Sequence, residues 1–299
     1  MIENLFYTPN IDVAVGSEVL LSEEESNHCV RVLRLIQGDT VHLTNGKGTL
    51  CKAVVVKAAP KTCVLRIVER FDRWEARPYY LHIAVAPTKN IDRYEWMVEK
   101  VTEIGVDEVS PIVTARSERR VFKTDRAQRV AVSAMKQSLK AFLPVIHEPI
   151  SFAAFINTPF DGLKLIAHCG TGTRKGLTEA LGASPISVAS LTPVASPIPA
   201  ASLTPVASPI PVASPTPVAS HTLSDALLDT SATTPSILRC LILIGPEGDF
   251  TPNEVAQAEA NGFQSIHLGA SRLRTETAGV TAAVGVYLFV CGEECLKSF

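Results

Sequence analysis

Residues 241–283 constrain the fold more than any other stretch of the chain. Residues 241–244 (LILI) are apolar without alternation, which suits a strand buried on both faces rather than one half exposed to water. The run breaks into Gly245-Pro246-Glu247-Gly248 and restarts as a helix. Thr251 can cap that helix, Pro252 needs no amide hydrogen at the first position, and Glu254 can close a capping box. Gly262 fits the left-handed residue that ends it. A second apolar run, 266–268, breaks into Gly269 and a loop carrying Arg272 and Arg274, and another helix follows. Two strand ends that stop in glycine, one helix apart, describe the C-terminal edge of a parallel sheet, where open α/β folds place ligands. Each glycine alone is most simply a tight turn. Two such loops, expected at adjacent strand ends, one with Arg272, Arg274 and Glu276, point to a binding site.

The rest of the chain divides in two. Residues 1–72 read as short strands (40–44, 50–56, 63–68) separated by turn chemistry at Asn45-Gly46-Lys47-Gly48 and Ala59-Pro60-Lys61, a pattern that a small β-barrel would close. Before them, Ser22 starts a short helix expected to carry His28, Arg31 and Arg34. From residue 73 to 299 strands alternate with helices: strand 80–87, helix 91–104 ended by Gly105, strand 109–113, helix 127–142, strand 163–169, then the two units above. That alternation means an α/β domain with a mainly parallel sheet. It is interrupted at about 183–235, where 183–220 repeats the frame ASPIPV with variations and holds nine of the chain's 20 prolines. Prolines at this density exclude helix and central strand. The segment reads as an expanded, disordered repeat tolerated in a surface loop, since doubling a loop's length costs only about 0.6 kcal/mol.

Composition bounds the partners. The formal net charge is −2, so any nucleic-acid-binding field must be local. Seven cysteines form no CxxC pair and no Cys/His cluster at zinc spacing, and no metal is expected. The odd count suits reduced thiols in a cytosol. The acidic, polar start and the absence of a long apolar run predict a cytoplasmic protein without membrane association. No G-x-G-x-x-G or G-x-x-x-x-G-K-[ST] occurs, which argues against a nicotinamide or nucleotide-phosphate enzyme.

GPEG before a capped helix, followed by LG-x-x-x-LRTETA, resembles the signature of the 16S ribosomal RNA uridine-N3 methyltransferases of the SPOUT superfamily. Asn4-Leu5-Phe6-Tyr7, HCVRVLR (28–34), Gly38-Asp39, 89–93, EKVTEIG (99–105), Pro111 and Arg116-Ser117 resemble family positions in order. The likeness spans roughly 1–180 and 236–292. Three departures stand out: Asp249 where the family usually has a second glycine (GPEGG), KQSLK (136–140) for a motif commonly written E-Q-x-x-R, and an opening segment without the arginine many members carry.

The resemblance implies a trefoil-knotted SPOUT methyltransferase domain behind an N-terminal PUA-like RNA-binding barrel. It implies a homodimer joined near the 252 and 276–290 helices, and S-adenosyl-L-methionine as cofactor. The acceptor would be N3 of a uridine in 16S rRNA of the assembled small ribosomal subunit. Three strand ends would hold the cofactor: His168 and Gly170; Ile244, Gly245, Glu247 and Gly248; and Leu268, Gly269, Leu273 and Thr275. His168 alone reads equally well as a satisfied core histidine.

N3 lies on the Watson–Crick edge, so the base must be met unpaired or drawn from its stack. Arg272 or Arg274 could stabilise charge developing on the ring carbonyls. Glu247 or Glu276 could accept the proton, although Glu276 also suits a helix N-terminus. Eight basic residues between 116 and 140, against Glu118 and Asp125, would make a cationic ridge. With His28, Arg31 and Arg34, the residues Arg116, Arg119, Arg120, Lys136 and Lys140 are the expected RNA contacts. A SPOUT ribose 2′-O-methyltransferase and a non-catalytic rRNA-binding relative are the competing readings.

Overall fold

A computed structural model describes residues 2, 4–11, 14–183 and 237–295, so the repeat segment lies outside the described residues. The N-terminal part contains β1 (Leu5–Tyr7), β2 (Glu18–Leu20), α1 (Glu23–Asn27), a π-helical turn (His28–Val32), β3 (Thr40–Thr44), β4 (Leu50–Lys57) and β5 (Val64–Phe71). Its five strands run in the order β1-β3-β4-β5-β2 as a curled half-barrel, with no β1–β2 pairing among the described residues. Alternation along the strands buries Val41, Leu43, Cys51, Ala53, Val55, Leu65 and Ile67 around Phe6 and Cys29. Ser22 caps α1 as expected, its Oγ accepting the Glu25 N–H. Regular helix ends before the basic residues: His28 and Arg31 sit on the π turn, and Arg34 lies beyond it at φ +56°.

The second part begins with β6 (Tyr79–Val85), α2 (Ile91–Ile104), β7 (Glu108–Val113), α3 (Thr124–Gln137), β8 (Val145–Ile146), β9 (Ile150–Ser151) and α4 (Phe152–Ile156). It continues through β10 (Leu163–Ala167), β11 (Lys175–Gly176), α5 (Leu177–Gly182), β12 (Leu238–Ile244), α6 (Pro252–Ala260), β13 (Gln264–His267) and α7 (Thr275–Cys295). The sheet order is β11-β13-β10-β12-β6-β7-β8, with β9 also on β7, and every pairing is parallel. All strand C-termini therefore open on one edge. Central β12 is buried on both faces, as its lack of alternation requires. Leu238, Cys240, Ile242 and Ile244 pack toward α2, α3, α5 and α7, whereas Leu241 and Leu243 pack toward α4 and α6.

Several boundaries differ from the sequence expectation. The two glycine-ended strands β12 and β13 are not neighbours, because β10 lies between them. The helix expected over 127–142 is α3, which stops at Gln137; Leu139 then turns left-handed (φ +58°), and Ala141 and Phe142 meet the half-barrel instead. Residues 275–292, helical up to a kink at Gly292 (φ +44°), form a stretch that is apolar and long enough to span a membrane, contrary to the expectation that no apolar run is long enough. Half of it is buried within the molecule, against β6, β12, α2 and α5.

Candidate active site

The ends of β10, β12 and β13 enclose a cleft of about 280 Å³. Its floor and apolar wall are Ala167, Ile244, Leu268, Leu273 and Ala278, and its polar lining includes His168, Glu247, Asp249, Arg174, Arg272 and Arg274. Of the ten residues expected to hold a cofactor, eight line it: His168, Ile244, Gly245, Glu247, Leu268, Gly269, Leu273 and Thr275. Gly248 faces an adjoining hollow with Arg116 and Arg272, and Gly170 lines neither. Gly269 stands at φ +120°, a conformation L side chains rarely adopt, and nothing lies within 4 Å of where its Cβ would be. Its backbone is thus open to a ligand.

The three loops are tied to each other. Thr275, at the start of α7, donates from Oγ1 to the Gly245 carbonyl at 3.1 Å, fixing the β13–α7 loop on the β12 end. Asp249 does the same between β12 and β10: its Oδ2 accepts the Cys169 N–H (2.8 Å) and its Oδ1 accepts the Phe250 N–H (2.8 Å). Asp249 adopts φ +62°, a left-handed position that glycine takes most readily and that a short polar residue can also hold. Arg116 Nη1 donates to the Gly248 carbonyl at 2.8 Å, and the Lys89 N–H donates to Glu247 Oε1 at 3.0 Å. The capping box on α6 forms as expected, and Glu254 also accepts the Ala115 N–H.

His168 is internally satisfied. Nδ1 accepts the Gly170 N–H at 3.1 Å, so Nε2 carries the proton to Ser265 Oγ (3.0 Å), which in turn donates to Glu259 Oε1 (2.6 Å). Burial pushes the His168 imidazole below its usual range, keeping it neutral, against an opposing pull from Asp249.

Arg272 and Arg274 lie on the cleft, both exposed, but Glu276 does not reach it. Glu276 is buried in the first turn of α7, 3.9 Å from Arg93, and lines a neighbouring hollow with Arg274, Asp92 and Trp96. A carboxylate there favours the helix dipole.

The expected RNA contacts separate into two groups. Arg116, which lines the adjoining hollow, Arg120 and, less fully, Arg119 are solvent-accessible, and Arg31 and Arg34 are exposed on the half-barrel beside half-buried His28. Lys136 is committed instead to Glu25 of the half-barrel, at 2.7 Å, with its ammonium over the Phe6 ring. Lys140 is partly buried, and desolvation holds its ammonium below the usual range while Glu75 opposes that shift.

Arg174, His267 and Ser271 also line the cleft and were not singled out in the sequence. Arg174 follows the Gly170-Thr171-Gly172-Thr173 loop after β10. Its Nη1 donates to the His168 carbonyl, and its buried Nε has no partner among the described residues.

An RNA methyltransferase domain model matches residues 75–190 and 213–286, and an RNA methyltransferase PUA domain model matches 21–68. The chain is 34% identical to a probable rRNA-methyltransferase from Porphyromonas gingivalis, whose crystal structure superposes with a TM-score of 0.70, covering 98% of this chain and all of that one. It is 25% identical to ribosomal RNA small subunit methyltransferase E of Mycobacterium tuberculosis, over 96% of this chain and 92% of the relative. A crystal structure of a protein of that same name from Neisseria gonorrhoeae, bound to S-adenosyl methionine, shares the fold at TM-score 0.69 and 23% identity, covering 95% of this chain and 96% of its own. The domain model covers more than half of the chain and the fold is shared with these structures over nearly its whole length, so the chain belongs to the RNA methyltransferase family.

Proposed function

We propose that the chain transfers a methyl group from S-adenosyl-L-methionine to N3 of a uridine in 16S rRNA of the small ribosomal subunit. The observation that carries this reading is the convergence of three parallel strand ends on one cleft that bears two exposed arginines. The residues fit the cofactor. Ile244, Leu268, Leu273 and Ala278 offer an apolar wall for a purine, the open backbone at Gly269 offers polar groups, and Arg174, whose Nε has no partner among the described residues, suits an amino-acid carboxylate. When bound, the cofactor supplies an electrophilic methyl on a sulfonium. Arg272 and Arg274 then meet the negative charge that develops on the uracil carbonyl oxygens as N3 loses its proton. Glu247 is the carboxylate at the cleft available for that proton, whereas Glu276 holds the start of α7 and the Arg93 side.

In this proposal the half-barrel, the exposed Arg116 and Arg120 and the half-buried Arg119 receive the RNA, and the assembled small subunit rather than naked RNA is the substrate. Two copies associate through α6 and α7, the chain threads a trefoil knot around the cofactor loops, and the protein works in the cytoplasm. Residues 1–72 and 73–299 act as separate RNA-binding and methyl-transferring units. Reverse-transcription mapping of 16S rRNA from a deletion strain should lose one N3-methyl stop, and restoring the gene should return it. An unchanged stop pattern would reject the proposal.

A further inference from the structure

On the sheet face that packs toward α4 and α6, away from the cleft mouth, three side chains from separate strands converge. His82 of β6, Glu108 of β7 and His147, just after β8, place one ligand atom each within 4.8 Å of one another. β6 and β7 are hydrogen-bonded neighbours with His82 opposite Glu108, and the His147 N–H donates to the Val109 carbonyl, so the three backbones are held by the sheet itself. His147 Nε2 lies 2.5 Å and His82 Nδ1 3.7 Å from the same oxygen, Glu108 Oε2. A tetrahedral centre with bonds of about 2.0–2.1 Å needs donor atoms about 3.3 Å apart. The two separations to Glu108 Oε2 bracket that value, and the remaining one lies within 4.8 Å.

The surroundings are those of a ligand set. His82 Nε2 is paired with Ser110 Oγ at 2.8 Å, which orients the ring and leaves Nδ1 toward Glu108, too far from the carboxylate for a hydrogen bond. Tyr80 Oη donates to the other carboxylate oxygen, Glu108 Oε1, while Oε2 faces the two imidazoles and is hydrogen-bonded to His147 Nε2, a bond that an ion between them would replace. Phe155 packs edge-on against the His82 ring and closes the inner side, whereas His147 is 40% exposed and leaves a path from solvent. None of the three lines the cleft, and His82 stands three residues before the end of β6, about 10 Å along the strand.

We propose that His82, Glu108 and His147 form a binding site for a first-row divalent cation, zinc(II) foremost, with solvent in the remaining position. Two imidazoles and one carboxylate suit zinc over magnesium or calcium, which prefer all-oxygen sets. The bound ion rivets β6, β7 and the segment after β8 together.

The test uses the full-length protein dialysed against a chelator and titrated with Zn²⁺, and with Co²⁺ as a spectroscopic probe. One equivalent binds, the cobalt form shows d–d absorption without thiolate charge transfer, and Zn²⁺ raises Tm. His147→Gln and Glu108→Gln weaken binding at least tenfold and abolish the rise in Tm, while circular dichroism reports that they are folded. Failure to bind one equivalent, equal affinity in both variants, or a thiolate charge-transfer band placing the ion on cysteines would each overturn the proposal. The wild-type cobalt spectrum decides the matter even where a variant does not fold.

Discussion

Asp249 departs from the pattern GPEGG and yet preserves what that pattern builds. Its left-handed backbone keeps the turn, and its carboxylate adds two hydrogen bonds that hold the β10 and β12 loops against each other. The two cleft arginines have a separate role. Replacing Arg274, whose side chain is exposed at the cleft, with alanine should lower turnover about 10²-fold while the cofactor dissociation constant measured by titration calorimetry stays within threefold. Unchanged turnover would remove its catalytic role. His168 makes a pH prediction. Its folded-state pKa is depressed by burial, so the unfolded chain takes up a proton near pH 6.5 that the folded chain does not. Its contribution to stability is complete above that pH and is lost as pH falls toward the folded value. Denaturant melts at pH 7.5 and 5.5 should show a smaller acid loss in His168→Gln than in the wild type. At this scale the glycine loops were legible because their residue types are dictated by local backbone geometry. Arg174 was not, because a lone arginine in a loop carries no signal until the fold directs it back to the β10 end.

Among the elements, α7 carries the most. It packs on β6, β12, α2 and α5, and its small residues let the partners come close. A Cβ on Gly279 would stand 2.5 Å from Met97 Sδ of α2, and one on Gly285 2.5 Å from Leu177 Cδ2 of α5. Gly279→Val should therefore destabilise the fold by about 1–3 kcal/mol, read as a lower denaturation midpoint at constant slope. An unchanged midpoint would mean that α2 shifts without cost. The limits of α2 were readable to the residue, since Asn90 caps it and Gly105 ends it at φ +114°. The end of α3 was not, because Leu139 and Phe142 answer to the half-barrel rather than to helical periodicity. Two-residue strands such as β8, β9 and β11 have no period to read. The insertion of β10 between β12 and β13 is a matter of long-range pairing, which local patterns do not record.

Over the whole molecule, the junction between half-barrel and parallel sheet takes up Lys136, one of the groups the sequence presents as an RNA contact. Lys136 bonds both oxygens of Glu25, the Thr44 hydroxyl donates to the Ala141 carbonyl, and Gly48 lies under the Phe142 ring. The ridge of charge over 116–140 is therefore divided. Arg126 is also engaged, with Glu95 at 2.8 Å, whereas Arg116 and Arg120 of the ridge are exposed and Arg119 is half-buried. Reversing Arg119 and Arg120 to glutamate should weaken RNA binding and flatten the dependence of log K on log salt by about two units, measured by filter binding across a salt series. An unchanged slope would place the RNA elsewhere. The central claim is tested most directly by incubating the purified protein with labelled S-adenosylmethionine and unmodified small ribosomal subunits, then resolving the nucleosides of the 16S rRNA by mass spectrometry. One equivalent of 3-methyluridine per subunit is the predicted product, and a 2′-O-methylated nucleoside or no incorporated label would contradict it.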